Sequence, residues 1–302
     1  MASGGRLEEA IAQYRKNLEL NPHFIGYPDV KIALAYLYES KYTLAETSAQ
    51  AGLERANEDE RALATGVLGD IEVARGRLDR ATARYEEAAR LSAKLDTHRS
   101  LFLERKATEI YFQQGQPEQA LALARRLRSP WAPGLRGIAY LLLKNEASAE
   151  KEFRSLQTSL TPIVGNYQAD KSVTLARVLA ASYAGNGQQV ISEWPQVDVY
   201  TRAGLPLIIG RASLETANWD DAERYLRLVP IVQRTWENQL SISNTDFLAY
   251  ALGEFYQAKV YEHAGKKADA VNAYQEFLSH FENSNARLPQ IAEARAALKR
   301  LM

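Results

Sequence analysis

The chain has 302 residues, with 37 basic and 37 acidic side chains, so nothing in its net charge draws broadly on nucleic acid or an anionic membrane. It contains no cysteine, which excludes a disulfide framework and thiolate chemistry. No stretch approaches the roughly 18 apolar residues that span a bilayer, and the start at Met1 lacks the basic and apolar segments of a signal peptide, so a cytoplasmic location is expected.

In chain order, Gly5 to Pro22 reads as the second helix of a helix pair whose first helix is missing. Such a half repeat exposes an apolar face, so the chain is expected to continue a larger protein cut at Gly5. About seven helix pairs are then expected over 26–284. Ala, Leu, Glu and Arg fill long windows between short Gly, Asn or Pro breaks, and no run reads as alternating strands. In each pair a small residue on the first helix precedes a small residue on the second by 12 positions: Ala33/Ala45, Gly69/Ala81, Thr108/Ala120, Gly137/Ala149, Ala180/Ser192, Gly210/Ala222 and Ala258/Ala270. Two antiparallel helices that cross closely need small side chains there. An aromatic three residues after the first small residue (Tyr36, Tyr111, Tyr140, Tyr183, Tyr261) fills the space beside the crossing.

The first-helix small residues are separated by 36, 39, 29, 43, 30 and 48, a scattered period. The Ala180/Ser192 pair is the weakest, because Trp194-Pro195 interrupts its second helix. Asn57 with Glu60, and Asn218 with Asp221, fit helix N-caps. Pro117 suits a first helical position. After Phe281 a polar break leads to Pro289 and a final helix over 289–302, whose stripe of Ile291, Ala294 and Leu298 reads as a cap on the last pair.

Small residue, aromatic, Gly-containing turn, Ala, then an aromatic or aliphatic residue: this order resembles the tetratricopeptide repeat. The resemblance implies an all-α fold, a right-handed superhelix of stacked antiparallel helix pairs (an α-solenoid) with a C-terminal capping helix, as one array over 1–302. It implies a non-catalytic protein–protein interaction scaffold that binds a peptide or protein partner on its concave face, which the first helices line. The first-helix residues directed away from the packing positions are Asp70, Arg105, Glu109, Gln113, Arg177, Arg211, Glu215, Lys259 and His263. Both charge signs occur, which suits a mixed-charge polypeptide. The Lys/Asn carboxylate clamp of some tetratricopeptide co-chaperones is absent, since Val30, Leu34, Gly66 and Asp70 stand in its place. Two segments, 133–140 with 149–156 and the tail from 273–278 through 288–294, are similar to C-terminal repeat regions of large bacterial signalling proteins, in which the array follows a serine/threonine kinase or winged-helix regulator domain. That similarity implies a regulatory role.

Little else suggests chemistry. His23, His98, His263 and His280 are scattered, without metal-site spacing, and no catalytic, dinucleotide or phosphate-loop motif occurs, so no metal, cofactor or enzymatic activity is expected. Glu276 and His280 are four apart and read as a solvated helix-surface pair. Gly185-Asn186-Gly187 is a helix-ending turn. Arg125-Arg126-Leu127-Arg128 offsets a helix C-terminus, with a phosphate or acidic-peptide contact as the lesser reading. Trp131, Trp194, Trp219 and Trp236 stand at element ends, and Trp219 is expected to staple its helix to a neighbour. The polar segment 233–244, which holds Trp236, is long enough to be a contact loop. Self-association through the half repeat or the cap is the alternative function, giving a homo-oligomer. An enzyme, or an RNA-reading helical repeat, fits less well, the latter because base reading needs regular units.

Overall fold

One backbone turn recurs along the chain and sets its architecture. In the computed structural model, which describes residues 4–21, 27–54, 58–93, 97–197, 205–230, 247–281 and 286–302, the described residues are helical, with short connections and no strand. Seven turns each carry one residue in the left-handed region, at Ser40, Gly76, Gly115, Lys144, Gly185, Ala217 and Gly265, with φ from 56° to 72°. Its N–H donates to the carbonyl three residues back, and the next N–H to the carbonyl five back, as Gly76 does to Val73 (2.8 Å) and Arg77 to Glu72 (2.8 Å). These paired bonds satisfy the last carbonyls of one helix while reversing the chain into the next.

The helices that these turns join are α1 (Gly4–Leu20), α2 (Pro28–Tyr38), α3 (Tyr42–Glu54), α4 (Glu58–Ala74), α5 (Leu78–Ser92), α6 (Thr97–Gln113), α7 (Pro117–Ala124), α8 (Ala132–Leu142), α9 (Glu146–Tyr183), α10 (Gly187–Glu193), α11 (Pro206–Glu215), α12 (Trp219–Leu226), α13 (Phe247–His263), α14 (Lys267–Ser279) and α15 (Pro289–Leu301). A short 3-10 turn, Trp194–Gln196, follows α10, and its Trp194 is buried. Three of the second helices open on an asparagine cap, where the side chain of Asn145, Asn186 or Asn218 accepts from the N–H three residues on. Pro117 stands at the start of α7, as its missing donor allows.

The residue five places after each left-handed position is sealed in the crossing: Ala45, Ala81, Ala120, Ala149, Val190, Ala222 and Ala270 are all 0% exposed. Six of these match the expected small residues. The fifth does not. Its crossing pair is Val178/Val190, two residues earlier than Ala180/Ser192, and Ser192 is exposed with its hydroxyl donating to the Gln189 carbonyl. The turn at Gly185 fixes this register, and Ala180 and Ser192 satisfied the size rule only by coincidence. Tyr183 therefore leaves the aromatic position, which falls on Ala181.

Where the first-helix residue is glycine, the second helix of the same pair explains it. A Cβ on Gly69 would stand 2.5 Å from the Tyr85 ring, on Gly137 2.4 Å from Phe153, and on Gly210 2.8 Å from Leu226. The long spacing before the fifth pair also has a cause: α9 is the second helix of the fourth pair running directly into the first helix of the fifth, bent at Gly165 with φ 79° and ψ 162°.

The chain divides into two compact units, the first extending to Ala107 and the second beginning at Thr108. In the first, α1 packs on α2, and Leu37, Leu63, Ile71, Leu78 and Leu103 form the interior. In the second, Phe112, Ile138, Phe153, Leu156 and Leu160 share one core, and Val178, Val190, Trp194 and Ile209 another. The last helix pair closes on Phe255, Tyr274, Phe277 and Phe281, and α15 lays Ile291, Ala294 and Ala297 against α14.

Candidate partner-binding face

In the first unit, Asp70 is an interior residue and not a surface one. Its carboxylate accepts from the Tyr85 hydroxyl (2.7 Å) and the Lys106 ammonium (2.6 Å), with both charged side chains essentially sealed from solvent. The Lys106 cation also lies over the Tyr85 ring, 5.1 Å from its centroid. A charge so enclosed and so partnered holds α4, α5 and α6 together and offers nothing to an outside ligand. Arg105, beside it on α6, is half-buried.

In the second unit, Glu109 and Gln113 are half-buried on α6, and Phe112 between them stacks on Tyr183 at 5.1 Å. Arg177 lies elsewhere than expected. Its guanidinium pairs with Glu150 (2.7 Å) and covers Phe153 (4.8 Å), both on the first half of α9, so it braces the fourth pair against the fifth. The two-residue register shift is the reason.

Arg211, Glu215 and Lys259 do come together. Arg211 on α11 bonds Glu215 one turn on (2.8 Å) and lies over the Tyr256 ring of α13 (5.8 Å). Burial alone pulls the Arg211 guanidinium down, but the Tyr256 and Glu215 oxygens outweigh it and hold it above its usual range. The Tyr256 hydroxyl accepts from Gln290 of α15 (3.2 Å), and burial pushes its ionisation upward, so it stays a neutral hydrogen-bonding group. Lys259, one turn further along α13, covers Phe255 (5.6 Å) and pairs with Glu293 (2.6 Å). His263 ends the row, stacked face to face on Trp219 at 3.7 Å, the staple expected of that tryptophan. The face thus sets cations, each paired with a carboxylate, over aromatic rings.

Tyr183, which the sequence pattern assigns to a crossing, stacks on Phe112, while Tyr256 and Gln290 adjoin Arg211 and stand out by no pattern. Tyr183 was recoverable from the Gly185-Asn186 turn, which sets the register. Tyr256 and Gln290 carry no local signal, because what brings them together is the packing of α15 on α13.

His280 also turns inward. It is buried, with its Nε2 2.9 Å from Glu254 on α13 and Phe247 edge-on at 5.4 Å, so its partner is Glu254 in place of the solvated Glu276 pairing. Burial pushes the Glu254 carboxyl upward, against the lowering effect of the His280 bond. In the basic run, exposed Arg125 bonds the Tyr140 hydroxyl (2.9 Å), and Arg136 on α8 reaches the terminal carbonyl of α7 at Ala124 (3.5 Å). The segment 233–244 with Trp236, as well as Asn57, His23 and the His98 side chain, lie outside the described residues. Among the described residues no group of histidines and carboxylates could hold a metal ion, and no helix is long and apolar enough to cross a membrane.

The geometry of α13 and α14, with its turn at Gly265 and its Ala258/Ala270 crossing, can now be set beside known proteins. Residues 253–284 match the family model of the tetratricopeptide repeat. No curated protein matches the sequence. Among solved structures, the chain is similar to one in the APC/C hetero-tetramer Cut9-Hcn1, at 15% identity over 98% of this chain and 52% of that one, with a TM-score of 0.38. It spans about half the length of that protein. It is also similar to a tetratricopeptide repeat protein from Parabacteroides merdae, at 17% identity over 92% of this chain and all of that one, with a TM-score of 0.42.

Proposed function

We propose that this chain is a non-catalytic scaffold that binds a peptide or protein along its first-helix, concave face, as a regulatory part of a larger bacterial signalling protein. The observation that carries the reading is the row Arg211, Glu215, Lys259 and His263, in which two cations lie over the rings of Tyr256 and Phe255 on consecutive first helices. The tetratricopeptide match over 253–284 supports it, since that repeat is an interaction fold. Among the described residues each cation is held by a single carboxylate, Glu215 or Glu293, whose place a ligand carboxylate can take with the same charge-assisted bond. Of the remaining expected contacts, Glu109 and Gln113 lie half-buried on α6 in the same unit. A peptide array probed with the wild type, Arg211→Glu and Lys259→Glu tests it. Both variants should weaken the selected peptides at least tenfold, while Arg177→Glu should not. Indifference to both reversals would overturn the assignment.

A second reading, self-association, draws on Ile163 and Tyr167, which flank the bend of α9 and are 57% and 68% exposed. Light scattering that stays monomeric at high protein concentration rejects it.

A further inference from the structure

The contacts of the second unit form a closed circuit. Phe112 stacks on Tyr183 (5.1 Å), a Cβ on Gly185 two residues further would stand 4.0 Å from the Arg211 guanidinium, and Arg211 covers Tyr256 (5.8 Å). Tyr256 accepts from Gln290 (3.2 Å), at the start of α15. Three residues before Gln290, the Arg287 backbone N–H donates to Gln114 Oε1 at 3.3 Å, and Gln114 lies two residues beyond Phe112. The circuit therefore returns to its origin, across a sequence separation of 173 residues at its last link.

We propose that this circuit is a ring that opens at the Gln114–Arg287 clasp to admit an extended peptide, an inference that rests on the binding role given above for the same face. The links are unequal. Phe112 and Tyr256 are buried, and their joints are packed ring against ring or cation against ring. The clasp is one exposed hydrogen bond near the outer limit of useful length, to a side-chain amide that water can replace. The amides around it are also poorly served. Among the described residues, Gln114 Nε2, Gln290 Oε1 and both polar atoms of the Gln257 side chain are buried and meet no hydrogen-bond partner, and Gln290 is only 8% exposed. A buried amide atom without a partner forfeits its hydration for nothing. An extended main chain supplies what these glutamines lack, a donor and an acceptor at every residue. The closed ring is the state that a bound peptide relieves, by serving the glutamine atoms that the clasp leaves without partners.

Because the chain has no cysteine, Gln116→Cys with Arg287→Cys in the full chain introduces the only two thiols and keeps both partners of the clasp, the Gln114 amide oxygen and the backbone N–H of residue 287. Spin labels on both, read by dipolar spectroscopy, should give a short and a longer distance population. A single short or single long population overturns the clasp as a gate. In a second arm the thiols are bridged with a short bis-maleimide, or capped singly with N-ethylmaleimide, after circular dichroism shows equal helix content. The probes are the peptides selected on the array. Bridging should weaken their binding at least tenfold relative to the capped form. Equal binding by both overturns the gate and leaves the scaffold role standing. If no peptide binds either form, the scaffold role fails, and the spin-label distances decide the clasp by themselves.

Discussion

Asp70 shows how a charge is used in this protein when it is not on the surface. Its carboxylate, the Lys106 ammonium and the Tyr85 hydroxyl satisfy one another in a site closed to solvent. Removing one partner leaves the other charge buried and uncompensated. Asp70→Asn and Lys106→Met should each lose about 3 kcal/mol in urea unfolding, and the double variant should lose less than the sum. Glu254 makes the complementary case. Its folded-state acidity is weakened by burial, so the folded chain holds that proton more tightly than the unfolded chain does. The sign follows: its contribution is most favourable below the ordinary carboxyl range and is lost as pH rises through the raised value. Glu254→Gln removes that titration but keeps an acceptor for His280. Stability of the variant relative to the wild type should rise as pH climbs from about 4, the ordinary carboxyl range, through the raised Glu254 value. A difference that is flat with pH would contradict this assignment.

At the scale of the element, the unit of construction is a helix pair fixed by its turn. Ala217 occupies a left-handed position that costs a side-chain-bearing residue about 1 kcal/mol, so Ala217→Gly should stabilise by about that amount in thermal or urea unfolding. The crossing itself is tighter. Gly137→Ala would drive a Cβ into Phe153, and the expected loss is about 1–3 kcal/mol, relieved when Phe153→Leu is added. These turns and crossings were largely legible in the sequence, since a small residue 12 positions before another is a local pattern with a steric cause. The fifth pair was misread because valine at 178 and 190 breaks the size rule, while Ala180 and Ser192 mimic it two residues away. The bend at Gly165 was not read at all: a lone glycine inside a helical pattern does not distinguish a break from a tolerated residue. Half of the cluster on α11 and α13 was legible for the same reason. Arg211, Glu215 and Lys259 follow from helix register, whereas Asp70 was misplaced because its burial depends on Lys106, 36 residues away on another helix.

At the scale of the whole molecule, equal numbers of basic and acidic groups put the isoelectric point near 6.9. Much of that charge is spent on internal pairing, as at Arg136–Glu152, Arg177–Glu150 and Lys259–Glu293. Little repulsion then separates one copy from another near neutral pH. Solubility measured across pH should pass through a minimum close to pH 7 and recover by one unit or more on either side.

The recurring turn has a mechanical consequence. Inside a pair, two main-chain hydrogen bonds and a sealed crossing hold the helices at a fixed spacing, while the links from one pair to the next differ in length. Tension applied at the chain ends should therefore be released in steps, one helix pair at a time. The fourth and fifth pairs should yield as a single larger step, because α9 is shared between them and leaves no slack to part them.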